Sequence, residues 1–573
     1  MLALAHPDRR SVRSVLSFQP SIFVAIGWVL FGLCWLLPNH YNPWLNFPSE
    51  AMAFSAIAML MMGALATLKP ESINYPALLL WVAGVASVPW IQWALGINTF
   101  AGDALLVSYF IVGWAVAIFV GYHVADEQYG LSVSALMQVV WIVALLSAMV
   151  GLLQWLKLEG AAGIYIAQTD VGDPAMGNLA QPNQLATLLL MGIVAYTYFF
   201  ERRIIGRFTF VLGLSVLTAV LVLTHSRAGM LGVAVIGGFF FMKRNHIASR
   251  ISPGSVVAWV IMFAMGIVIS PDIDRALMLY AEREPLFTSN GRALIWAQAL
   301  EGTRRAPWFG YGWDQTFAAL SVGSLAHPGE SVFTHAHNVL LDVLAWNGIP
   351  LGITLIGMGG YWFFTRLHRV NNLAGIYAMA CLLPFLAHSM VEFPFAYAYF
   401  LLTAGLMIGL VERSLEPTGL WHIPRIWGGT SLLIWVAIGG GIAYEYLLIE
   451  EDVRVTRFEN LRVGATDTDY QAPRVWLLSQ MATMQRAVRQ QPVPNMTESQ
   501  LEDMRRATTR FPHGGLALRY AMALALNGDP VGASHILAVI RGVYGQRFYD
   551  AAEKEWDKKA DRFPQLKAIP WTK

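Results

Sequence analysis

The sequence predicts an all-α protein in two parts, a polytopic membrane domain of about thirteen helices and a smaller soluble helical domain. Of the 573 residues, 56% are hydrophobic and 13% are charged, and the mean hydropathy is +0.49. Ordinary soluble proteins carry about 25% charged residues, so this composition excludes a soluble enzyme, a disordered chain and a fibrous repeat. Charge density rises nearly threefold at residue 450, because 33 charged residues lie in the last 124 and 43 in the first 449. We therefore predict a membrane domain over 1–449 and a soluble domain over 450–573.

Long apolar runs identify the elements of the membrane domain. A membrane-spanning helix needs about 20 predominantly apolar residues, and thirteen runs approach or reach that length. We predict spans at residues 22–37, 51–68, 76–95, 104–122, 136–156, 185–200, 208–224, 228–242, 256–269, 351–364, 376–387, 395–411 and 432–448.

The distribution of Lys and Arg between the short connections predicts the orientation. One set of connections holds 14 basic residues, whereas the short connections of the other set hold only Lys157 and Arg227. Basic loops stay in the cytoplasm, so we expect a cytoplasmic N-terminus and, with an odd number of spans, an external tail. In a bacterium this means an inner-membrane protein with a periplasmic tail. The net charge of +2 gives no indication of a nucleic-acid partner.

Two long external connections, residues 157–184 and 270–350, are the natural places for function on a helical scaffold. The second contains a further amphipathic stretch. In the tail, apolar and polar residues alternate at helical spacing from Leu516 and again from Val531, and a polar helix is predicted to start near Thr497. The tail is therefore expected to be helical.

Two arginines are candidate anion-binding residues. Arg227 follows Thr224-His225-Ser226 in a tight turn, and Arg292 follows Ser289-Asn290-Gly291 at a predicted helix start. A guanidinium beside the free N–H groups of a helix start suits phosphate. Each alone is also compatible with an ordinary arginine at a helix end. Two on one face favour a diphosphate ligand.

His335 and His337, in Thr334-His335-Ala336-His337-Asn338, are candidate acid–base residues. Histidine titrates near neutrality and accepts a proton from a hydroxyl. Capping of the following helix is the structural alternative. A metal site is disfavoured because no carboxylate or third histidine lies nearby at a ligand spacing, so no metal and no cofactor are expected.

Further polar residues lie at the same predicted face. Gln181 and Asn183 enter the sixth span, where neutral amides suit helix capping or recognition of hydroxyls. His388 and Glu392 are spaced to share a helical face and are followed by Tyr397 and Tyr399. An interfacial pair with an aromatic belt is the alternative there.

All these groups fall at the external ends of spans. A transporter is expected to place its polar groups near the middle of the bilayer. A site at the outer interface instead suits a lipid-borne anionic substrate and an acceptor that arrives from water.

These motifs resemble a known family. The segment 178–187, Asn-Leu-Ala-Gln-Pro-Asn-Gln-Leu-Ala-Thr, resembles the amide motif of the bacterial protein O-oligosaccharyltransferases that glycosylate pilin. Ser226-Arg227-Ala228-Gly229, Gly291-Arg292 and residues 335–338 resemble the wider O-antigen ligase and polymerase superfamily. Residues 388–394 with Tyr397-Ala398-Tyr399-Phe400 are again similar to the protein-glycosylating branch. The resemblance covers about residues 150–410.

The resemblance implies a membrane-embedded, metal-independent glycosyltransferase. The donor would be an oligosaccharide on undecaprenyl pyrophosphate, and the acceptor a Ser or Thr hydroxyl of pilin or another exported protein. His337, with His335 as second choice, would activate that hydroxyl. Arg227 and Arg292 would hold the pyrophosphate. Substrate contacts would come from Gln181, Asn183, Asn338, His388, Glu392, Tyr397 and Tyr399.

Three alternatives stay open at this stage. A lipopolysaccharide O-antigen ligase would transfer the glycan to lipid A-core, and an O-antigen polymerase would transfer it to another glycan. A flippase or other transporter would form no covalent bond. The tail lies outside the catalytic motifs, so it is expected either to hold the acceptor protein or to cap the membrane domain.

Overall fold

The computed structural model describes residues 22–67, 73–124, 131–170, 172–246, 250–279, 291–415, 421–422, 424–461, 463 and 470–571. These residues form nineteen α-helices: α1 (Ile22–Leu33), α2 (Phe47–Thr67), α3 (Leu78–Ala94), α4 (Ala101–Val124), α5 (Val133–Trp155), α6 (Pro182–Glu201), α7 (Arg207–Leu223), α8 (Arg227–Met242), α9 (Pro253–Ala276), α10 (Arg292–Arg305), α11 (Thr316–Gly323), α12 (Val339–Arg369), α13 (Leu373–Ser389), α14 (Ala398–Leu415), α15 (Arg425–Leu461), α16 (Ser479–Arg489), α17 (Glu498–Arg510), α18 (Gly514–Leu526) and α19 (Pro530–Arg562). The strands described are the two-residue pair β1 (Asn74–Tyr75) and β2 (Trp421–His422), which is antiparallel.

The helices confirm an all-α polytopic membrane chain. Each of the thirteen predicted apolar runs overlaps one of helices α1–α9 or α12–α15. Eight of these helices are long and apolar enough to cross a membrane: α2, α4, α5, α6, α9, α12, α14 and α15. The other five are shorter apolar helices of 12 to 17 residues, so the number of thirteen crossings stays a prediction.

Helix α6 lies at the centre of the bundle and carries part of the site at its first turn. It packs against α5, α7, α8 and α13, and every residue from Gln184 to Glu201 is buried. A second close pair, α4 and α14, crosses where Gly121 and Gly409 face the partner backbone. A Cβ on Gly409 would overlap the carbonyl oxygen of Ile118, so the small residue permits the close approach.

Two further features place the segments around the site. Helix α12 is interrupted at Gly348, whose φ of 72° lies in the left-handed region. Its first turns therefore form a unit separate from the apolar run predicted over 351–364. The long predicted external connection 270–350 contains α10 and α11 between Arg292 and Gly323.

The tail is helical, as predicted, and α15 is continuous through residue 450. The change from apolar to charged sequence therefore occurs within one helix. Glu445 of α15 accepts hydrogen bonds from the backbone N–H groups of Trp476, Leu477 and Leu478, which fixes the entry to α16. Helix α17 begins with a capping box in which Thr497 and Gln500 satisfy each other's backbone N–H groups. The predicted polar helix near Thr497 is thereby confirmed.

Candidate functional site

Four helices, α6, α8, α10 and α12, have their N-terminal ends at one polar cluster. Their N-cap residues are Gln181, Ser226, Gly291 and Asn338. The chain enters each helix through a left-handed residue, which is Ala180, His225, Gly291 or His337. The first N–H groups of a helix have no partner within the helix and carry partial positive charge. Four such ends at one place favour an anion.

The Glu392 carboxylate joins three of these four helix starts. His337 Nδ1 lies 2.6 Å from Oε2, and Arg292 Nη2 donates to Oε1 at 2.8 Å. Asn183 Nδ2 lies 3.5 Å from the same Oε1, at the outer limit of a hydrogen bond. Arg292 Nε also donates to the carbonyl oxygen of Val391 at 3.1 Å. The carboxylate thus fixes α6, α10 and the residue before α12 relative to one another.

The partners of Glu392 determine its charge. Burial raises the pKa of this carboxyl, but hydrogen bonds and charge from His337 and Arg292 outweigh burial and lower the pKa below its ordinary value. Glu392 is therefore ionised at neutral pH and accepts hydrogen bonds only. The carboxylate consequently accepts a hydrogen bond from the Nδ1–H group of His337.

His337 is the more accessible of the two histidines, with 17% of its side chain exposed. Its Nδ1 is occupied by Glu392, which leaves Nε2 as the nitrogen with the lone pair in the neutral ring. The rings of Phe333 and Phe393 contact the imidazole edge-to-face at 5.4 and 5.1 Å between centroids. His337 has a φ of 52°, an uncommon conformation for a residue with a side chain and one often found at functional sites.

His335 lies in a closed pocket and contacts a different carboxylate. Its Nδ1 is 3.7 Å from Oδ2 of Asp342, whose side chain has 0% exposure. The imidazole also stacks on Phe393 with 4.6 Å between ring centroids. Burial lowers the pKa of His335, but Asp342 and Asp314 raise it by more, so the net shift is upward. The two histidines of one motif therefore have different surroundings.

Arg227 is the first residue of α8, next to the Ser226 cap. The Ser226 hydroxyl donates to Asn183 Oδ1 at 2.6 Å and accepts the N–H of Gly229. Asn183 in turn reaches Glu392, so the α8 start is linked to the cluster through two side chains. Arg227 and Arg292, which are 65 residues apart in sequence, thus belong to helix starts that Asn183 and Glu392 join.

The remaining predicted residues line α6 and its neighbours. Gln181 caps α6, and its side-chain oxygen accepts the N–H of Gln184 at 2.8 Å, as the capping interpretation expects. Tyr399 donates to Gln184 Oε1 at 2.8 Å. Tyr397 lies between Phe393 and Tyr399, with its ring centroid 5.9 and 5.7 Å from theirs.

Asn338 caps α12 by accepting the N–H groups of Leu340 and Leu341, and its amide nitrogen donates to the carbonyl of Met390. This bond joins the segment that carries His337 to the segment that carries Glu392.

His388 and Glu392 do not share a helical face, contrary to the expectation from their spacing. Helix α13 ends at Ser389, because the ring of Pro394 in a continued helix would clash with the carbonyl of Met390, four residues earlier. His388 is buried within the bundle and is bonded to the Thr187 hydroxyl at 2.9 Å. Glu392 lies in the turn after the helix and contacts His337 and Arg292 instead.

Sequence reasoning missed several polar partners. Asp342 accepts hydrogen bonds from the Thr316 hydroxyl at 2.7 Å and from the Ala336 N–H at 2.9 Å. Glu50 is buried, and its carboxylate accepts the indole N–H of Trp44 at 2.7 Å. A lone carboxylate inside an apolar run was the available signal for both residues. Neither run showed which partner the fold would bring near.

Among the described residues, no group of three or more His, Cys, Asp or Glu side chains is close enough to hold a metal ion.

The chain is similar to known proteins over the segments that form this site. A family model described as "Virulence factor membrane-bound polymerase, C-terminal" matches residues 376–559, "O-Antigen ligase" matches 208–356, and "Protein glycosylation ligase" matches 175–198. Two similar proteins come from Acinetobacter baylyi. A "General O-oligosaccharyltransferase" is 29% identical over 67% of this chain and 68% of its own length. A "ComP-specific O-oligosaccharyltransferase" is 25% identical over 68% of this chain and 71% of its own length.

The O-antigen ligase match includes Arg227, Arg292 and His337, and the glycosylation ligase match includes Gln181 and Asn183. Glu392, which joins these residues in the structure, falls within the third match, over residues 376–559. The chain is thus similar to the O-antigen ligase superfamily and, within it, to protein O-oligosaccharyltransferases.

Proposed function

We propose that this protein transfers an oligosaccharide as one unit from undecaprenyl pyrophosphate to a Ser or Thr hydroxyl of pilin or another exported protein. The observation that carries the proposal is the shared carboxylate of Glu392, which contacts both a histidine and an arginine. One carboxylate thereby brings a base and an anion-binding group to the same place. The names of the two Acinetobacter relatives favour a protein acceptor over lipid A-core or a second glycan.

In this mechanism His337 is the general base and Glu392 its positioning residue. Glu392 accepts a hydrogen bond from Nδ1–H, which orients the ring and leaves Nε2 to receive a proton from the acceptor hydroxyl. The hydroxyl oxygen then forms a bond to the anomeric carbon of the first sugar, and the bond from that carbon to the phosphate oxygen breaks. The proton is then on His337, and the electron pair leaves with undecaprenyl pyrophosphate.

Negative charge develops on the departing pyrophosphate, and fixed positive groups would stabilise it. Arg292 and Arg227 would supply guanidinium donors, and the starts of α6, α8, α10 and α12 would supply backbone N–H groups. These groups are held by helices before the substrate arrives, so they need little rearrangement during the reaction. No step requires a metal ion.

Gln181 and Asn338 cap helices in the resting protein, and Asn183 bonds to Ser226. All three would contact sugar or acceptor hydroxyls when substrates are bound. Tyr397, Tyr399 and His388 would form the wall behind α6, where Tyr399 and His388 bond to Gln184 and Thr187. The donor is a membrane lipid. The charge bias of the connections supports an inner-membrane protein with a cytoplasmic N-terminus, a periplasmic site and a periplasmic 450–573 domain.

The test is transfer in a bacterial cell that makes a lipid-linked glycan, lacks its own ligase and contains both pilin and lipid A-core. We expect the mass of pilin to increase by one glycan on Ser or Thr. We expect this increase to disappear with His337→Ala and to persist with His327→Ala, because His327 is an exposed histidine of the same connection.

Each other result has a distinct meaning. Glycan on lipid A-core alone would assign the protein as an O-antigen ligase. Longer glycans without either conjugate would assign a polymerase. Lipid translocation without a new covalent bond, unaffected by His337→Ala, would assign a transporter. Wild-type glycosylation of pilin by the His337→Ala variant would remove His337 as the base.

A further inference from the structure

A large cleft lies where the tail meets the membrane domain, away from the cluster around Glu392. Its volume is about 810 Å³. Three segments line it: residues 93–99 after α3, residues 305–318 around the start of α11, and one face of α17. The proposed mechanism uses none of the residues that line this cleft.

The walls of the cleft differ in chemistry. Helix α17 contributes Glu502, Arg505, Arg506 and Thr509, whose spacing places them along one helical face. The facing wall contains Trp308 and Phe309, which are 71% and 66% exposed. Large aromatic side chains held in water at the edge of a cleft are typical of binding sites for a partner.

The floor contains an amide without a partner. Asn98 is 1% exposed, and within the described part of the chain neither its amide nitrogen nor its amide oxygen has a hydrogen-bond partner. Buried polar groups are nearly always bonded, so an orphaned one points to a missing ligand. The Asn98 side chain offers one acceptor and a donor, which is the complement of a peptide group.

The cleft is fixed in place by a buried ion cluster. Arg510, at the end of α17, donates to Asp103 of α4 at 3.0 Å and to Asp314 of the facing segment at 2.7 Å. Arg506 donates to the carbonyl oxygen of Thr99 at 2.6 Å. These bonds hold the tail against both other walls, so the cleft is preformed.

The cleft is also close to His337 along α12. The N–H groups of Tyr311 and Gly312 donate to the carbonyls of Ala345 and Trp346, at the end of the second turn of that helix. The distance along the helix axis from Asn338 to Ala345 is about 10 Å at 1.5 Å per residue. An extended peptide covers about 3.3 Å per residue, so about three residues bridge the two places.

We propose that this cleft binds an extended acidic segment of the acceptor polypeptide, about three residues from the hydroxyl that receives the glycan. The inference rests on the proposed function, because it names the acceptor's docking site. Three arginines and one glutamate line the cleft, which favours a segment with net negative charge. Asn98 pairs with its backbone, and Trp308 packs on its side chains. The alternative occupant, the distal sugars of the donor, is an outcome of the test.

The first experiment measures the KM for the pilin ectodomain and the KM for the lipid-linked donor separately. With Trp308→Ala we expect the KM for pilin to rise about tenfold and the KM for the donor to change less than twofold. Trp476→Ala is the matched control, since Trp476 is 83% exposed and lies outside the cleft. A rise in the donor KM instead would assign the cleft to the glycan and overturn the proposal.

The second experiment tests charge. Arg505→Glu should raise the KM for pilin, and replacing Asp or Glu of the docking segment by Lys should restore it. Arg454→Glu is the control, because Arg454 also forms an exposed i,i+3 pair with a glutamate. Equal effects of both substitutions, or no rescue, would contradict charge recognition at α17.

The third experiment separates docking from transfer. A photoreactive phenylalanine analogue replaces Trp308 in the His337→Ala protein, which is then mixed with pilin ectodomain and labelled donor. Crosslinking to pilin supports the cleft even if the wild-type protein glycosylates no protein, in which case only the proposed function fails. If the wild-type protein glycosylates pilin while position 308 crosslinks to donor or to nothing, the docking proposal fails alone.

Discussion

The two histidine–carboxylate pairs of one short segment differ in what surrounds them. His337 contacts Glu392 at 2.6 Å in a partly exposed cluster with an arginine, whereas His335 lies 3.7 Å from the buried Asp342. Asp342 also binds Thr316 and the Ala336 backbone. The first carboxylate is arranged to orient a reactive ring, and the second to hold the segment in shape. Histidines two residues apart can therefore serve different purposes because the fold supplies different partners.

The strongest test of this difference is Glu392→Gln. A glutamine can donate to His337 Nδ1, which would leave Nε2 protonated and unable to act as a base. We expect kcat to fall by about 10²–10⁴-fold, the usual contribution of acid–base catalysis, with the KM for the donor nearly unchanged. Single-turnover transfer to pilin measures this. A loss below tenfold would mean that Glu392 does not orient the base.

A second test removes Arg292, which contacts the same Glu392 carboxylate as His337. We expect Arg292→Gln to reduce kcat by about 10²–10³-fold, as for other losses of a donor aimed at developing charge. Arg292→Lys keeps the charge but loses the two-point contact with Glu392 and Val391, so it should be intermediate. Equal activity of Arg292→Gln and Arg292→Lys would show that the positive charge at position 292 does not contribute to the rate.

Substitution in the other pair, His335 and Asp342, should lower the stability of the protein rather than its transfer rate. Asp342→Asn cannot satisfy the same partners, and we expect the free energy of unfolding to fall by about 1–3 kcal/mol. Thermal unfolding in detergent measures this loss. The transfer rate of the folded fraction should fall less than tenfold. A loss of rate as large as that of Glu392→Gln would make His335 and Asp342 the reacting pair.

The pH dependence of stability tests the direction in which the fold shifts the pKa of His335. The folded pKa of His335 is raised above about 6.5, its value in the unfolded chain. Protonation therefore favours the folded state, and this contribution is complete below about pH 6.5 and is lost as pH rises through the raised pKa. The melting temperatures of the wild type and His335→Gln should converge as pH rises. A difference that grows with pH would contradict the upward shift.

The smallest expected effect is that of Asn183→Ala. It removes one neutral hydrogen bond to Ser226 and a long contact with Glu392, which amounts to about 1 kcal/mol. We expect kcat/KM to fall by about fivefold to tenfold. Thr197→Ala, a buried change on the same helix away from the cluster, is the control for general damage to α6.

The sequence predicted the helices and most of the site because both leave local signals. Apolar runs mark helices, and Ser226, Gln181 and Asn338 mark helix starts by their capping side chains. Contacts between residues that are distant in sequence left no such local signal. Glu392 and His337 are 55 residues apart, and only packing of the α13–α14 turn on the start of α12 brings them together. For the same reason the partner of His388 was predicted on its own helix, whereas the fold places it on α6.

The docking cleft was beyond prediction for another reason. Its three walls come from residues 93–99, 305–318 and 502–509, and no one of these segments has an unusual composition. What makes them a site is an orphaned amide at Asn98, and a missing hydrogen bond is visible only once every neighbour has a position.

Helix α15 is unbroken, so the position and the rotation of its charged end are fixed relative to its apolar end. With 37 residues it is about 55 Å long, and it runs from the apolar bundle into the charged segment without a hinge in its described residues. One residue inserted near position 450 would advance the rest of α15 by about 1.5 Å and turn it by about 100°, which would move Asp452 and Glu459 away from Arg489 of α16. The contacts between α15 and the rest of the tail therefore depend on helical register. Exchange of tails between relatives should succeed only when two spacings are kept, from Trp435 to Glu445 and from Glu445 to the start of α16.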